Sequence, residues 1–109
     1  MNAHYNNCNA ALQINQPEEF EKLSEENKNI LIKWIKTHIQ PRKSVNNRNS
    51  SYGLKHIFED DKGHGGFYVT NGMFKGAMRE CGYVPEDERA VNWYYRISSK
   101  SLCFIEQRR

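Results

Sequence analysis

The run Tyr68-Val-Thr-Asn-Gly-Met-Phe-Lys-Gly-Ala-Met-Arg-Glu-Cys-Gly82 decides the fold, because it contains an extended start, a helix cap, an apolar face and a helix stop. Thr70 predicts a helix N-cap, since its hydroxyl can accept from the free N–H groups of the first turn. Gly82 predicts the end, because glycine readily adopts the left-handed conformation. Between them, apolar residues recur at spacings of three and four and form one face. They are Phe74, Ala77, Met78 and Cys81.

The other face of this predicted helix carries Asn71, Lys75 and Arg79, each four residues from the next. Residues four apart stack on a helix surface, so the spacing predicts one polar, cationic row beside Gly76. A small helix of this kind could lie on a phosphate backbone or in a groove of nucleic acid. The alternative is a solvated face, because exposed lysine and arginine are the rule.

The charge of the chain is unevenly distributed. The 109 residues predict a single domain with one modest core. Residues 1–26 hold five acids and one base, whereas residues 27–109 hold fifteen bases and eight acids. This asymmetry favours a polyanion, or a negatively charged protein–RNA surface, as the partner of the larger part.

The N-terminal part divides into an arm and a helix. We predict a flexible arm over residues 1–16 and a single domain over residues 17–109. Pro17 suits the first turn of a helix, and Ser24 offers a second start. A wide apolar stripe at helical spacing then runs to Pro41 and predicts the longest helix. The stripe consists of Ile30, Leu31, Trp34, Ile35, His38 and Ile39.

A polar linker over residues 41–50 separates this helix from the next. Its cations, Arg42, Lys43 and Arg48, indicate either a phosphate-contacting loop or a plain connector. Ser50 or Ser51 can cap the next helix, which runs into acidic residues at its C-terminal end and should fray there. Its buried side would be formed by Tyr52, Leu54, Ile57 and Phe58.

The C-terminal part predicts strands. Residues 92–98 alternate, with Trp93, Tyr95 and Ile97 pointing one way. Residues 99–101 can turn the chain, and residues 102–105 can pair back as a second strand. The predicted fold class is therefore α+β, with about three helices followed by a C-terminal two- or three-stranded antiparallel sheet.

The predicted hairpin also supplies candidate contacts. Arg96 and Lys100 would touch phosphates, and Tyr94 would be an exposed aromatic anchor for a protein partner. Alternatively, Tyr94 covers the rim of the core.

Catalytic and metal-binding motifs are missing from the sequence. The three cysteines are too few and too scattered for a disulfide framework, and the four histidines lack zinc-site spacing. The acidic clusters lie in turns where water keeps carboxylates ionised. We therefore predict no enzyme activity, no metal, no cofactor and no small-molecule substrate. Without a signal peptide or a membrane span, the predicted location is the cytoplasm.

Residues 51–98 resemble the winged helix-turn-helix module found at the end of phage and plasmid helicase-primases. The matching features are an aromatic-bearing helix, Val69-Thr70 before a helix that ends at Gly82-Tyr83, and the aromatic strand Trp93–Ile97. The resemblance covers just under half of the chain and implies a winged-helix fold. The gap from Phe58 to Thr70 is longer than the tight turn of the simplest such modules.

The segment from Ser51-Tyr-Gly-Leu-Lys-His-Ile-Phe to Asn92-Trp-Tyr is also similar to small proteins of mobile elements in low-GC bacteria, which include inhibitors of CRISPR nucleases. This resemblance implies a non-enzymatic, anti-CRISPR-type protein that binds a host CRISPR effector complex or its nucleic acid. One alternative is a winged-helix protein that binds double-stranded DNA or RNA as a transcriptional regulator or replication accessory. Another is a protein-interaction adaptor. A monomer or a homodimer would suit each.

Overall fold

The computed structural model describes residues 13–107, which form four α-helices and two short 3-10 helices. Most of the predicted arm, residues 1–12, lies outside this range. Within the range, no helix is long and apolar enough to cross a membrane. The α-helices are α1 (Glu25–His38), α2 (Ser51–Asp60), α3 (Asn71–Glu80) and α4 (Leu102–Gln107), and the 3-10 helices are η1 (Pro17–Lys22) and η2 (Lys62–His64).

Side-chain caps fix where α1, α2 and α3 begin. The hydroxyls of Ser24, Ser50 and Thr70 each accept from the amide three residues further on, at 3.1, 3.4 and 3.1 Å. These bonds satisfy first-turn N–H groups that have no partner inside the helix. After α3, Gly82 has a φ of +90°, the left-handed conformation predicted for this position. The predicted cap at Thr70 and the predicted stop at Gly82 are both confirmed.

The apolar faces of α1, α2 and α3 meet in one core. Leu31 and Ile35 of α1 are fully buried, and so are Phe58 of α2 and Phe74 of α3. The rings of Trp34 and Phe58 meet edge to face with their centroids 5.3 Å apart. Burial of each such side chain contributes about 1.5–3 kcal/mol to stability, so this core is the main source of folding energy.

Residues 13–22, here called the N-terminal strap, lie along α3. The amide of Gly72 donates to Ile14 O at 2.8 Å, and a Cβ added to Gly76 would lie 2.3 Å from Phe20 Cβ. Both glycines belong to α3, where the lack of a side chain lets the strap backbone come this close. The strap therefore covers a face of α3 that the sequence predicted to be exposed.

The predicted C-terminal sheet is wrong, because residues 13–107 contain no β-strand. Residues 92–98 form no strand, but Trp93, Tyr95 and Ile97 are buried in alternation as predicted. Their backbone partners lie in residues 40–51: Asn46 N donates to Tyr95 O at 2.9 Å, and Ser51 N donates to Trp93 O at 2.7 Å. The polar linker thus occupies the edge that a second strand would have used, with a single isolated bridge between residues 41 and 97.

Residues 102–107, where the second strand was expected, form α4 instead. Cys103 and Phe104 are both buried, whereas Leu102 and Ile105 are exposed. Two consecutive buried residues suit one face of a helix, but a half-buried strand alternates. A short apolar run of four residues cannot separate these two patterns by itself. Without a wing or a sheet among the described residues, the winged-helix architecture does not hold.

Candidate nucleic-acid interface

The predicted polar row on α3 does not form an exposed surface. Arg79 is exposed, but Asn71 is only 5% exposed and Lys75 only 2%. The expectation that Asn71, Lys75 and Arg79 present one cationic ridge is therefore wrong, since the strap covers the first two.

Lys75 is enclosed between the strap and residue 93. Its Nζ donates to Asn15 O at 2.8 Å and lies 4.6 Å from the centroid of the Trp93 ring. The aromatic face attracts the ammonium group, which offsets part of the cost of its burial. That burial lowers the pKa of Lys75 below its ordinary value. In this position the ammonium group stabilises the strap and is not presented to a phosphate.

Asn71 holds three parts of the chain together. Its Oδ1 accepts from the hydroxyl of Ser51 in α2 at 2.8 Å. Its Nδ2 lies 2.9 Å from Asn15 Oδ1 in the strap and 3.1 Å from both Val91 O and Asn92 Oδ1. A buried amide needs such partners, because an unsatisfied one would cost about 1–3 kcal/mol. The role that these contacts support for Asn71 is structural.

Two exposed cations, Lys36 and Arg96, and the half-buried Arg42 instead line a groove, here called the basic groove, between the end of α1, the start of the linker and the residues after α3. Its volume is about 520 Å³. Three of the ten described lining residues are cations and none carries a carboxylate. The lining residues are Lys36, Ile39, Gln40, Pro41, Arg42, Cys81, Gly82, Tyr83, Val84 and Arg96.

Backbone and side-chain bonds shape the walls of the basic groove. Arg42 N donates to Arg96 O at 3.0 Å, which places two of the predicted contact residues side by side. Tyr83 donates its hydroxyl to Ile39 O at 3.2 Å and so ties the segment after α3 to the end of α1. These bonds give the groove a fixed width.

The three cations differ in how strongly they are already engaged. Arg42 donates to Ser44 O and Val45 O at 3.0 and 3.1 Å, so its guanidinium also holds the linker turn. Arg96 pairs with Glu86 at 3.3 Å, and both side chains are about half exposed. An exposed pair of this kind contributes at most about 1 kcal/mol, so a phosphate could replace the carboxylate.

Lys36 was not among the contact residues predicted from the sequence. It lies in the last turn of α1 and is exposed at the groove. Burial raises the pKa of the Cys81 thiol, and the nearby Lys36 charge opposes part of that rise. Its position in the last helical turn, shortly before a cationic linker, is the signal that could have indicated it.

The remaining predicted contacts are exposed but do not line the basic groove. This group consists of Lys43, Arg48, Arg79, Tyr94 and Lys100. They remain predictions as contacts of a partner.

Metal-ligating atoms of His38, Asp61 and His64 lie within 4.8 Å of one another, away from the basic groove. The sequence reasoning predicted no metal site, because these residues follow no zinc-site spacing.

No known family, curated protein or solved structure matches this chain. The resemblance to CRISPR-nuclease inhibitors therefore remains a prediction, and a pull-down with a purified effector, with and without guide RNA, would test it.

Proposed function

We propose that this protein is a non-enzymatic binding protein that takes up a nucleic-acid backbone in the basic groove. The observation that supports this most is the lining itself, which includes Lys36, Arg42 and Arg96 and has no carboxylate among the described lining residues. Lysine and arginine bind phosphates by displacing their counterions, and this is the main source of sequence-independent affinity. Val84, which is 68% exposed, would contact sugar or base faces.

The proposed contact differs from the reading of a major groove by α3. Asn71 and Lys75 are engaged with the strap, so α3 offers no cationic row for base contacts. Contacts to phosphates position a protein but carry no direct sequence information. We therefore expect similar affinities for duplexes of different sequence and equal length.

The test is fluorescence anisotropy with labelled duplex DNA and duplex RNA over a range of salt concentrations. In the double variant Lys36→Ala/Arg96→Ala, two phosphate contacts are lost. The slope of log K against log salt should then become shallower by about 1.8 for DNA, since each neutralised phosphate contributes about 0.9.

The matched control is Lys62→Ala/Arg89→Ala, which removes the same charge outside the basic groove. Arg89 pairs with Asp87 at 3.2 Å, as Arg96 pairs with Glu86 at 3.3 Å, and Arg89 is the more exposed of the two. The control should keep the wild-type slope. Equal slopes for both double variants, or no binding by the wild type at low salt, would disprove the proposal.

A further inference from the structure

A second group of side chains lies near the end of α1, and none of its residues lines the basic groove. His38 is the last residue of α1, Asp61 follows α2 directly, and His64 is the last residue of η2. Two segments that are distant in sequence thus bring two imidazoles and one carboxylate to one point. Their ligating atoms lie within 4.8 Å of one another.

The buried imidazole of His38 is oriented by the backbone of its own helix. Its Nδ1 lies 3.0 Å from Trp34 O, and a carbonyl oxygen can only accept, so Nδ1 carries a hydrogen and donates it. This arrangement leaves Nε2 3.7 Å from Asp61 Oδ2. Histidines that bind metals usually donate their other ring N–H in this way to a carbonyl or a carboxylate.

The carboxylate of Asp61 is also oriented from outside the cluster. Trp34 Nε1 donates to Asp61 Oδ2 at 2.9 Å. A carboxylate that is oriented by such an outer hydrogen bond is typical of metal ligands.

The distances to Asp61 are close to those expected around a small transition-metal ion, whereas the three ligand atoms together are only within 4.8 Å of one another. Ligand atoms bound tetrahedrally at about 2.0–2.1 Å lie about 3.3 Å apart. The distance from His38 Nε2 to Asp61 Oδ2 is 3.7 Å, and His64 Nδ1 lies 2.9 and 3.1 Å from the two Asp61 oxygens. His64 is 53% exposed, so its ring can turn to complete the geometry.

We propose that His38, Asp61 and His64 bind one divalent transition-metal ion, for which Zn²⁺ is the best candidate. Neutral imidazole and carboxylate are common zinc ligands, and three protein ligands leave a fourth position for water. That position would face a pocket of about 350 Å³ lined by residues that include Ile30, Lys33 and Gly65. The bound ion would join the end of α1 to the turn after α2.

The experiment uses the full chain after treatment with a chelator, titrated with Zn²⁺ by calorimetry and with Co²⁺ by visible absorption. The wild type should bind one equivalent of Zn²⁺ and give the visible absorption of a low-symmetry Co²⁺ site. Its melting temperature should rise as Zn²⁺ is added. His64→Ala should lower the Zn²⁺ affinity at least tenfold. Because His64 is exposed, this substitution should leave the protein folded, so the loss would reflect the missing ligand.

Two further variants complete the experiment. His56→Ala is the matched control, because His56 is 48% exposed and also lies close to a carboxylate, that of Glu59, at 3.0 Å. It should bind Zn²⁺ as the wild type does. Asp61→Asn, like His64→Ala, should bind Zn²⁺ more weakly than the wild type. The proposal would be overturned if Zn²⁺ did not raise the melting temperature of the wild type, or if His64→Ala bound Zn²⁺ as tightly as the wild type. A weaker Zn²⁺ affinity of His56→Ala would also contradict it, because the ion would then be bound elsewhere.

Discussion

Single glycines decide how closely the N-terminal strap approaches α3. A Cβ on Gly76 would lie 2.3 Å from both Phe20 Cβ and Pro17 O, and the second of these is backbone that cannot move aside. Gly53 also lies within a helix, but its added Cβ would meet no described atom within 4 Å. The same substitution should therefore have opposite effects at the two positions.

We expect Gly76→Ala to lower the free energy of unfolding by about 1–3 kcal/mol, the usual cost of overpacking. Gly53→Ala should raise it by about 0.5–1 kcal/mol, because alanine loses less conformational freedom in a helix. Urea unfolding followed by circular dichroism measures both. A stabilising Gly76→Ala would mean that the strap does not lie against α3.

The burial of Lys75 could not be predicted from its spacing alone. Its spacing from Asn71 and Arg79 was correctly interpreted as one helical row, but spacing does not say what covers a row. The neighbouring glycines contained that information, because they admit a backbone where a side chain would block it. Of the nine predicted contact residues, only Arg42 and Arg96 line the basic groove.

Among the elements, the turn between α2 and α3 depends on one carboxylate. Glu59 Oε2 accepts from Val69 N and from Lys55 Nζ, both at 3.0 Å. Burial alone would raise the pKa of Glu59, but the Val69 amide and the Lys55 ammonium outweigh it, so the pKa is lowered. The folded state thus binds this proton less well than the unfolded chain does.

This pKa shift predicts acid sensitivity. Because the folded pKa is the lower one, the stabilisation is complete above the ordinary glutamate pKa of 4.5 and is lost as the pH falls through the lowered value. Glu59→Gln should cost about 1.5–3 kcal/mol at pH 7, the contribution of hydrogen bonds to a charged group. In denaturant unfolding from pH 7 to pH 2, the difference in the free energy of unfolding between Glu59→Gln and the wild type should become smaller in acid.

The neighbouring exposed carboxylate provides the control for this prediction. Asp60→Asn should change stability by no more than about 0.5 kcal/mol at either end of the pH range, as is usual for surface substitutions. A Glu59→Gln variant with a constant deficit at every pH would contradict the assigned role of the charge.

Elements with local signals were predictable from the sequence, and the others were not. Thr70 and Gly82 mark the ends of α3 through contacts within a few residues, so their roles could be inferred. The alternating burial of residues 93–97 was also predicted from their sequence pattern. The hydrogen-bond partner of this segment was not, because residues 40–51 have no apolar pattern and pair mainly through their backbone, with one further bond from Trp93 N to the Ser51 hydroxyl.

For the whole molecule, contacts between distant parts of the chain hold the helices in place. Gln40 N donates to Ser101 Oγ at 2.9 Å, across 61 residues, and Asn71 meets Asn15 across 56 residues. The N-terminal strap and the segment before α4 are therefore held in place by bonds to residues that are distant in the sequence.

Removal of the N-terminal strap should strongly lower the free energy of unfolding. A chain that begins at Ser24 lacks Phe20, and loss of a buried phenylalanine alone typically costs about 3–5 kcal/mol. It also leaves Asn71 and Lys75 without their partners at Asn15. We expect a lower urea midpoint than for the single variant Phe20→Ala, which keeps the strap backbone. A truncated chain with the wild-type midpoint would contradict this.

The strap also has a consequence for how the protein is made. Asn15 and Lys75 are separated by 60 residues, which a ribosome adds in roughly 3–12 s at about 5–20 residues per second. Throughout that interval the newly synthesised strap has no native surface to bind, and Phe20 stays accessible to chaperones. Translation speed across the intervening codons would consequently influence the yield of folded protein.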